Sequence, residues 1–199
     1  ADATAPACDT AEDELPASDA DKPLAAAAAA AAVATVAAAA GEALLFKNEV
    51  YGNAKAGLML LGGACPHVEE NMIRDGLAAG VLVSDGSSGL LRGNTLKGHA
   101  KTELQVCDPG TCPLVEANTI RDSKAGGVLV FRGASAYVTK NTICANATAN
   151  VRLAEGCTAR LSHNTIRDGH DCGIAVCSGA TSVLTDNHVT GTHKKAAVL

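Results

Sequence analysis

Aromatic side chains are nearly missing from this 199-residue chain: Phe46, Phe131, Tyr51 and Tyr137 are all it has, and there is no tryptophan. Sugar-binding and single-strand nucleic-acid surfaces lean on exposed aromatic faces for stacking, so the scarcity counts against both. A basic field is missing too. The formal charge is -5, but residues 1 to 23 hold seven of the 21 acids and only Lys22 of the 16 bases, which leaves 14 acids and 15 bases for the rest. A body so close to neutral offers no electrostatic footprint for nucleic acid. The longest apolar run, Ala25 to Ala40, is alanine broken only by Val33, Thr35 and Val36. It falls short of the roughly 20 apolar residues of a membrane span, so no membrane role is expected.

What the chain does have is a repeat. Asparagines recur at Asn48, Asn71, Asn94, Asn118, Asn141, Asn164 and Asn187, at intervals of 23, 23, 24, 23, 23 and 23 residues. A period this constant marks a solenoid in which each repeat is one coil. Two residues after each asparagine stands an aliphatic residue (Val50, Ile73, Leu96, Ile120, Ile143, Ile166, Val189). Offsets 10 and 12 repeat the pattern, as in Leu58/Leu60, Val81/Val83 and Val128/Val130, and a third set near offset 20 includes Val68, Leu91, Val115 and Val138. The residues between are mixed, so each run alternates with period two and predicts a short strand. Three strands per coil close a roughly triangular tube, an all-β fold filled by Val, Ile, Leu and Ala. Gly57, Gly80, Gly127 and Gly173 stand just before the second strand and Asn150 takes that place in the fifth coil, whereas Glu103 breaks the rule in the third.

If coils stack at the spacing of parallel strands, about 4.8 Å, the seven asparagines lie in one row and their amides bond along the axis. They are therefore expected to be a register-fixing ladder and not a binding site. Cys65, Cys107, Cys112, Cys144, Cys157, Cys172 and Cys177 fall at scattered offsets, several where other coils put Ala, Ser or Thr. Small buried hydrophobes in a reducing, cytoplasmic compartment fit this better than a disulfide framework.

The motif N-x-I-x-x-x-x-x-x-G-[VI]-x-V followed by G-A, clearest in the stretch GGVLVFRGASAYVTKNTI that begins at Gly126, resembles the right-handed parallel β-helix repeat of pectate-lyase-like proteins. In style it is similar to the β-helix domains of F-box-only ubiquitin-ligase adaptors. The resemblance runs from Gly41 to Gly191 and implies the fold. It does not choose a function, because the motif residues are architectural and the family spans lyases, epimerases, adhesins and non-enzymatic scaffolds.

Four segments follow: an acidic flexible arm over 1–24, an Ala-rich helix or cap over 25–40, the β-helix over 41–191 and a short tail over 192–199. Alanine favours helix, and a helix across the mouth would cover the open strand edge of the first coil; a low-complexity linker is the alternative. The third coil carries its extra residue in Cys107-Asp-Pro-Gly-Thr-Cys112, read as a loop insertion in preference to half of a metal site. The tail is too short to cap the last coil, so the expectation is either that the parent protein continues or that this end packs against a neighbour.

The candidate chemistry lies in I-R-D, which recurs at Arg74-Asp75, Arg121-Asp122 and Arg167-Asp168. The resemblance implies that such a column be tested as a calcium-assisted lyase site. The triplets occupy alternate coils, however, so successive aspartates stand about 9.6 Å apart, twice the strand spacing, too far for one calcium site. No metal or cofactor is therefore expected, although carboxylates so separated suit an inverting hydrolase. A second cluster, Asp168-Gly-His170-Asp171-Cys172 with Cys177, reads as a polar turn with buried cysteines. The favoured expectation is a non-catalytic scaffold within a larger protein complex, cytoskeletal or ciliary by family analogy, docking partners through Met59, Leu82, Leu129 and Phe131. The alternative is a polysaccharide lyase, epimerase or hydrolase acting on an acidic glycan through the Arg/Asp column.

Overall fold

The structure, a computed structural model, describes residues 34–37, 43–154, 156–192 and 195–198. Alternation places the strands. In Leu58–Leu61 and Val128–Phe131 the first and third residues are buried and the second and fourth are only half-buried, so each run presents one face to the bore. Three parallel sheets result. The first holds eight strands: Ala34–Ala37, Leu58–Leu61, Val81–Val83, Leu104–Cys107, Val128–Phe131, Val151–Leu153, Cys172–Val176 and Lys195–Val198. The second begins at Leu44–Phe46 and runs through His67–Glu69, Leu90–Arg92, Leu114–Glu116, Ser135–Thr139 and Thr158–Ser162 to Thr181–Thr185. The third begins at Glu49–Tyr51, passes through Met72–Arg74, Thr95–Lys97, Thr119–Arg121, Thr142–Cys144 and Thr165–Arg167, and ends at His188–Thr190.

Each strand pairs with its equivalent one coil away, in the register of the asparagine count: Ile120 stands beside Leu96 on one side and Ile143 on the other. The bore is a single aliphatic core, and its inward side chains, such as Leu60, Val83, Ile120, Val130, Leu153 and Leu161, are completely covered. At the corner before the second sheet, Ala64, Ser87, Thr111, Ala134 and Cys157 are buried as well. Their hydroxyls also tie coils together: the Ala64 N–H donates to Ser87 Oγ at 3.1 Å, and the Gly86 N–H to Thr111 Oγ1 at 3.1 Å.

The asparagine row runs up one edge. Each Nδ2 donates to the next Oδ1, from Asn48 to Asn71 at 2.9 Å and on through Asn94, Asn118, Asn141 and Asn164 to Asn187 at 2.8 Å. The backbone N–H of each of the first six donates to that same oxygen. The extra residue of the third coil is absorbed where Asp108 and Gly110 take φ of 74° and 82°. Burial first, and Asp108 second, push the thiol of Cys107, the last residue of its strand, up to about 12.

One expectation changes at the N-terminal end. Within the run expected to be helix, Ala34–Ala37 is a strand paired in parallel with Leu58–Leu61. The open edge of Leu58–Leu61 offers a row of unsatisfied backbone groups, and β-branched Thr35 and Val36 interrupt the alanines, so sheet pairing outweighs alanine's helix propensity. The rest of the 25–40 run and the arm over 1–24 lie outside the described residues. At the other end Lys195–Val198 pairs with Cys172–Val176, so the tail extends the first sheet by one strand.

Candidate functional site

The third sheet carries the I-R-D triplets. Its strand ends stack Tyr51, Arg74, Lys97, Arg121, Cys144, Arg167 and Thr190 in one outward column. The next residue always takes a positive φ, in the order Gly52, Asp75, Gly98, Asp122, Ala145, Asp168, Gly191. Aspartate thus alternates with glycine or alanine, and steric fit explains two of the glycines. A Cβ on Gly98 would lie 2.5 Å from Asp75 Oδ1, and one on Gly191 would lie 2.6 Å from Asp168 Oδ1. The aspartates lean over the next coil, into space that glycine leaves open.

Each arginine is clasped by its own aspartate. Arg74 Nη1 donates to Asp75 Oδ2 at 2.7 Å, its Nε and Nη2 donate to Glu49 Oε1 at 2.9 and 2.8 Å, and its guanidinium lies 4.4 Å from the centre of the Tyr51 ring. Arg121 pairs with Asp122 and Arg167 with Asp168 in the same way. The Asp75 hydrogen bond, and after it that of Glu49, raises Arg74 further into its charged range; Asp168 does so for Arg167. Cys144 lies between the last two arginines, buried, and burial pushes its thiol up against the opposing pull of Arg167. Beside this column runs a row of half-buried threonines, Thr95, Thr119, Thr142 and Thr165. Among the described residues, no three His, Cys, Asp or Glu side chains converge to hold a metal ion.

The residues expected to meet a partner are placed differently. Met59, Leu82 and Leu129 stack outward on the first sheet, but they and Phe131 are half-buried. Among the described residues the exposed large apolar side chains are Leu44, Phe46, Tyr51, Leu77, Leu114, Tyr137 and Val183, and five of these seven lie on the second sheet.

The reading of Glu103 as a broken rule missed its partner. Glu103 is fully buried, its Oε2 lies 2.5 Å from Nδ1 of buried His99, and its Oε1 accepts the His99 N–H at 2.9 Å. Offsets 5 and 9 of the repeat, taken together, would have shown it. They read Asn53/Gly57, Gly76/Gly80, His99/Glu103, Ser123/Gly127, Asn146/Asn150 and Gly169/Gly173. The large side chains of the third and fifth coils rest on glycines: a Cβ on Gly76 would meet His99 Cδ2 at 2.8 Å, and one on Gly169 would meet Asn150 Nδ2 at 2.8 Å.

Burial raises the Glu103 carboxyl above its ordinary 4.5, against the downward pull of His99. A folded state that keeps its proton longer than the unfolded chain loses stability as pH rises through that window. Glu103→Gln mimics the protonated acid, so its stability relative to the parent should rise with pH, by at most about 1.4 kcal/mol per unit. Urea denaturation from about pH 4 to 8 measures this, and a constant difference would contradict it.

The chain is a right-handed parallel β-helix. Residues 106–199 match the family model described as the right handed beta helix region. No curated protein matches the sequence. Among solved structures, a double mutant of the periplasmic alginate epimerase AlgG aligns with a TM-score of 0.71 at 21% identity, over 79% of this chain and 38% of that one. A single mutant of the same epimerase aligns at 0.69 and 20%, over 73% and 35%. The chain therefore spans well under half the length of the epimerase, and likeness at this identity establishes the fold alone.

Proposed function

We propose that the outer face of the third sheet is a site for an extended acidic glycan lying along the stacking axis, in the manner of a polysaccharide-modifying β-helix. The observation that carries this is the single outward column of Arg74, Lys97, Arg121 and Arg167. Its cations repeat at one or two strand spacings, about 4.8 or 9.6 Å, a periodicity suited to a polymer with one carboxylate per sugar. The adjacent threonine row supplies hydroxyls for hydrogen bonding to sugar oxygens. The aspartates hold the guanidiniums in place when the site is empty and yield them to a substrate carboxylate. Neutralising that carboxylate is what removal of the neighbouring carbon-bound proton requires, the step common to epimerisation and elimination, with an aspartate as the base. The epimerase fold likeness supports this reading, whereas neither comparison supports a cytoskeletal or ciliary scaffold.

An exposed ion pair contributes about 0.2–1 kcal/mol, so Arg74→Ala/Arg121→Ala/Arg167→Ala should weaken binding of a uronate polymer by roughly 3- to 100-fold. Affinity of the parent should fall with added salt. Calorimetry with polymannuronate, polygalacturonate and a neutral glucan, alongside NMR of the polymers after incubation, gives both readouts. If the site also turns substrate over, Asp122→Ala binds and fails to convert. Equal affinity for the neutral glucan, or for the triple variant, would reject the site.

A further inference from the structure

The second sheet presents an apolar ridge that the glycan reading does not use. Its first outward column stacks Leu44, His67, Leu90, Leu114, Tyr137, Arg160 and Val183 in register. Leu44, Tyr137 and Val183 are 64%, 48% and 50% exposed, and Leu114 is 38% exposed. Three residues further along each strand lies a column with positive φ: Lys47, Glu70, Gly93, Ala117, Lys140, His163 and Asp186. Its charges are arranged by end. Lys47 pairs with Glu70 at 3.5 Å on the first two coils, and His163 pairs with Asp186 at 3.5 Å on the last two.

The geometry points to a second copy of this chain as the occupant of the ridge, in an antiparallel dimer whose two-fold axis runs parallel to the strands through Leu114. That operation sets each column against itself with the coil order reversed. Leu114 then meets Leu114, Leu90 meets Tyr137 and Leu44 meets Val183, so the ridge is covered by its own apolar residues. The same operation sets Lys47 of one copy against Asp186 of the other, and Glu70 against His163. At each end of the interface Lys47 then has Glu70 beside it in its own copy and Asp186 across from it, while the His163 ring lies beside Asp186 and across from Glu70. A two-fold along the stacking axis would instead set the charged column against the ridge, which leaves apolar surface wet and charges desolvated.

The only like pair on the axis is Glu116 with itself. Each Glu116 carboxylate is already held by Lys140 at 3.1 Å and Arg92 at 3.0 Å, and these, Lys140 first, keep it below the usual carboxylate range. By the same operation Lys140 of one copy lies across from Gly93 of the other and Arg92 across from Thr139, so no cation meets a cation beside the Glu116 pair. The remaining juxtaposition, His67 with Arg160, is eased by Glu69, 3.5 Å from His67. Seven strands at about 4.8 Å and five residues at about 3.3 Å give a face of roughly 550 Å². Two such faces reach about 1,100 Å², the lower edge of specific interfaces, so the dimer should form in the micromolar range and not be obligate.

Sedimentation velocity on the full chain from about 1 to 200 µM, a span that brackets that range, tests this. The parent should shift from monomer to dimer with concentration. Leu114→Arg, on an exposed side chain at the axis, should raise the dissociation constant by more than tenfold. Lys47→Glu and Asp186→Lys should each weaken the dimer, and the two together should restore it, because the new Glu and Lys face each other across the interface. The proposal is overturned by a parent that stays monomeric, by a dimer indifferent to Leu114→Arg, or by a double variant no tighter than the singles. Circular dichroism melts matching the parent confirm that the variants fold.

Discussion

Asn141→Ala is expected to cost about 3–5 kcal/mol, a large part of a small domain's stability. Asn141 is 1% exposed and no polar group of its side chain is idle. Its Oδ1 accepts the Asn118 N–H at 2.8 Å and Asn118 Nδ2 at 3.0 Å. Its Nδ2 lies within bonding distance of Val115 O, Thr139 O and Asn164 Oδ1, at 2.9, 2.9 and 3.0 Å. Truncation leaves the Asn118 backbone N–H without its acceptor in a wall that water does not reach, while Asn118 Nδ2 keeps Leu91 O and Asn164 Oδ1 keeps the Asn141 backbone N–H. The orphaned N–H costs about 1–3 kcal/mol, and each of the two amide bonds lost along the row about 0.5–1.5 kcal/mol more. Asn48→Ala is the control: Asn48 is exposed at the end of the row, where water can take over its partner's oxygen, and about 1 kcal/mol or less is expected. Urea unfolding of both variants decides the matter. Equal losses would mean that the row is decoration on a tube held by its aliphatic core alone.

The core was legible in the sequence because coil stacking imposes a single rule on every repeat. An inward position such as Ile120 has Leu96 and Ile143 as neighbours, so the same chemistry must recur every coil and the pattern is plain in one chain. The I-R-D column was legible for the same reason. Its aspartates were read as an outward charge row, however, and only the structure shows Asp75 and Asp168 occupying the Cβ space of Gly98 and Gly191. Ala34–Ala37 was misread because alanine's helix propensity is a local quantity, whereas the strand is dictated by the open edge of Leu58–Leu61. Met59 and Leu129 were taken as a docking surface from their alternation, but each stands half-buried in a row of outward side chains, Leu82 beside Met59 and Gln105 and Arg152 beside Leu129. The His99–Glu103 pair escaped because each residue taken alone is an exception, and the exception makes sense only as a unit over Gly76 and Gly80.

Gly127→Ala is the second large expected loss, about 3 kcal/mol or more, and its cause is space and not backbone angle. A Cβ on Gly127 would sit 2.5 Å from the Asn150 carbonyl oxygen, 2.7 Å from Asn146 Nδ2 and 2.7 Å from Ile143 Cγ2. That oxygen accepts the Val128 N–H at 2.9 Å, so relieving the clash lengthens a bond of the sheet. Asn146 is tied in turn to Asn150 Oδ1 at 2.8 Å and to the Ser123 N–H at 3.1 Å, so it too gives way only by breaking a buried contact. Gly62→Ala separates the two causes. Gly62 has φ of +65° and nothing within 4 Å of the added Cβ, so it reports the left-handed backbone penalty alone, about 1–2 kcal/mol. Adding Asn146→Gly to Gly127→Ala removes a side-chain obstacle but not the carbonyl, and should recover only part of the loss. Full recovery would assign the cost to Asn146, and a Gly127→Ala loss no larger than that of Gly62→Ala would show that the coils can part without penalty, contrary to a stack held at fixed spacing by its backbone bonds.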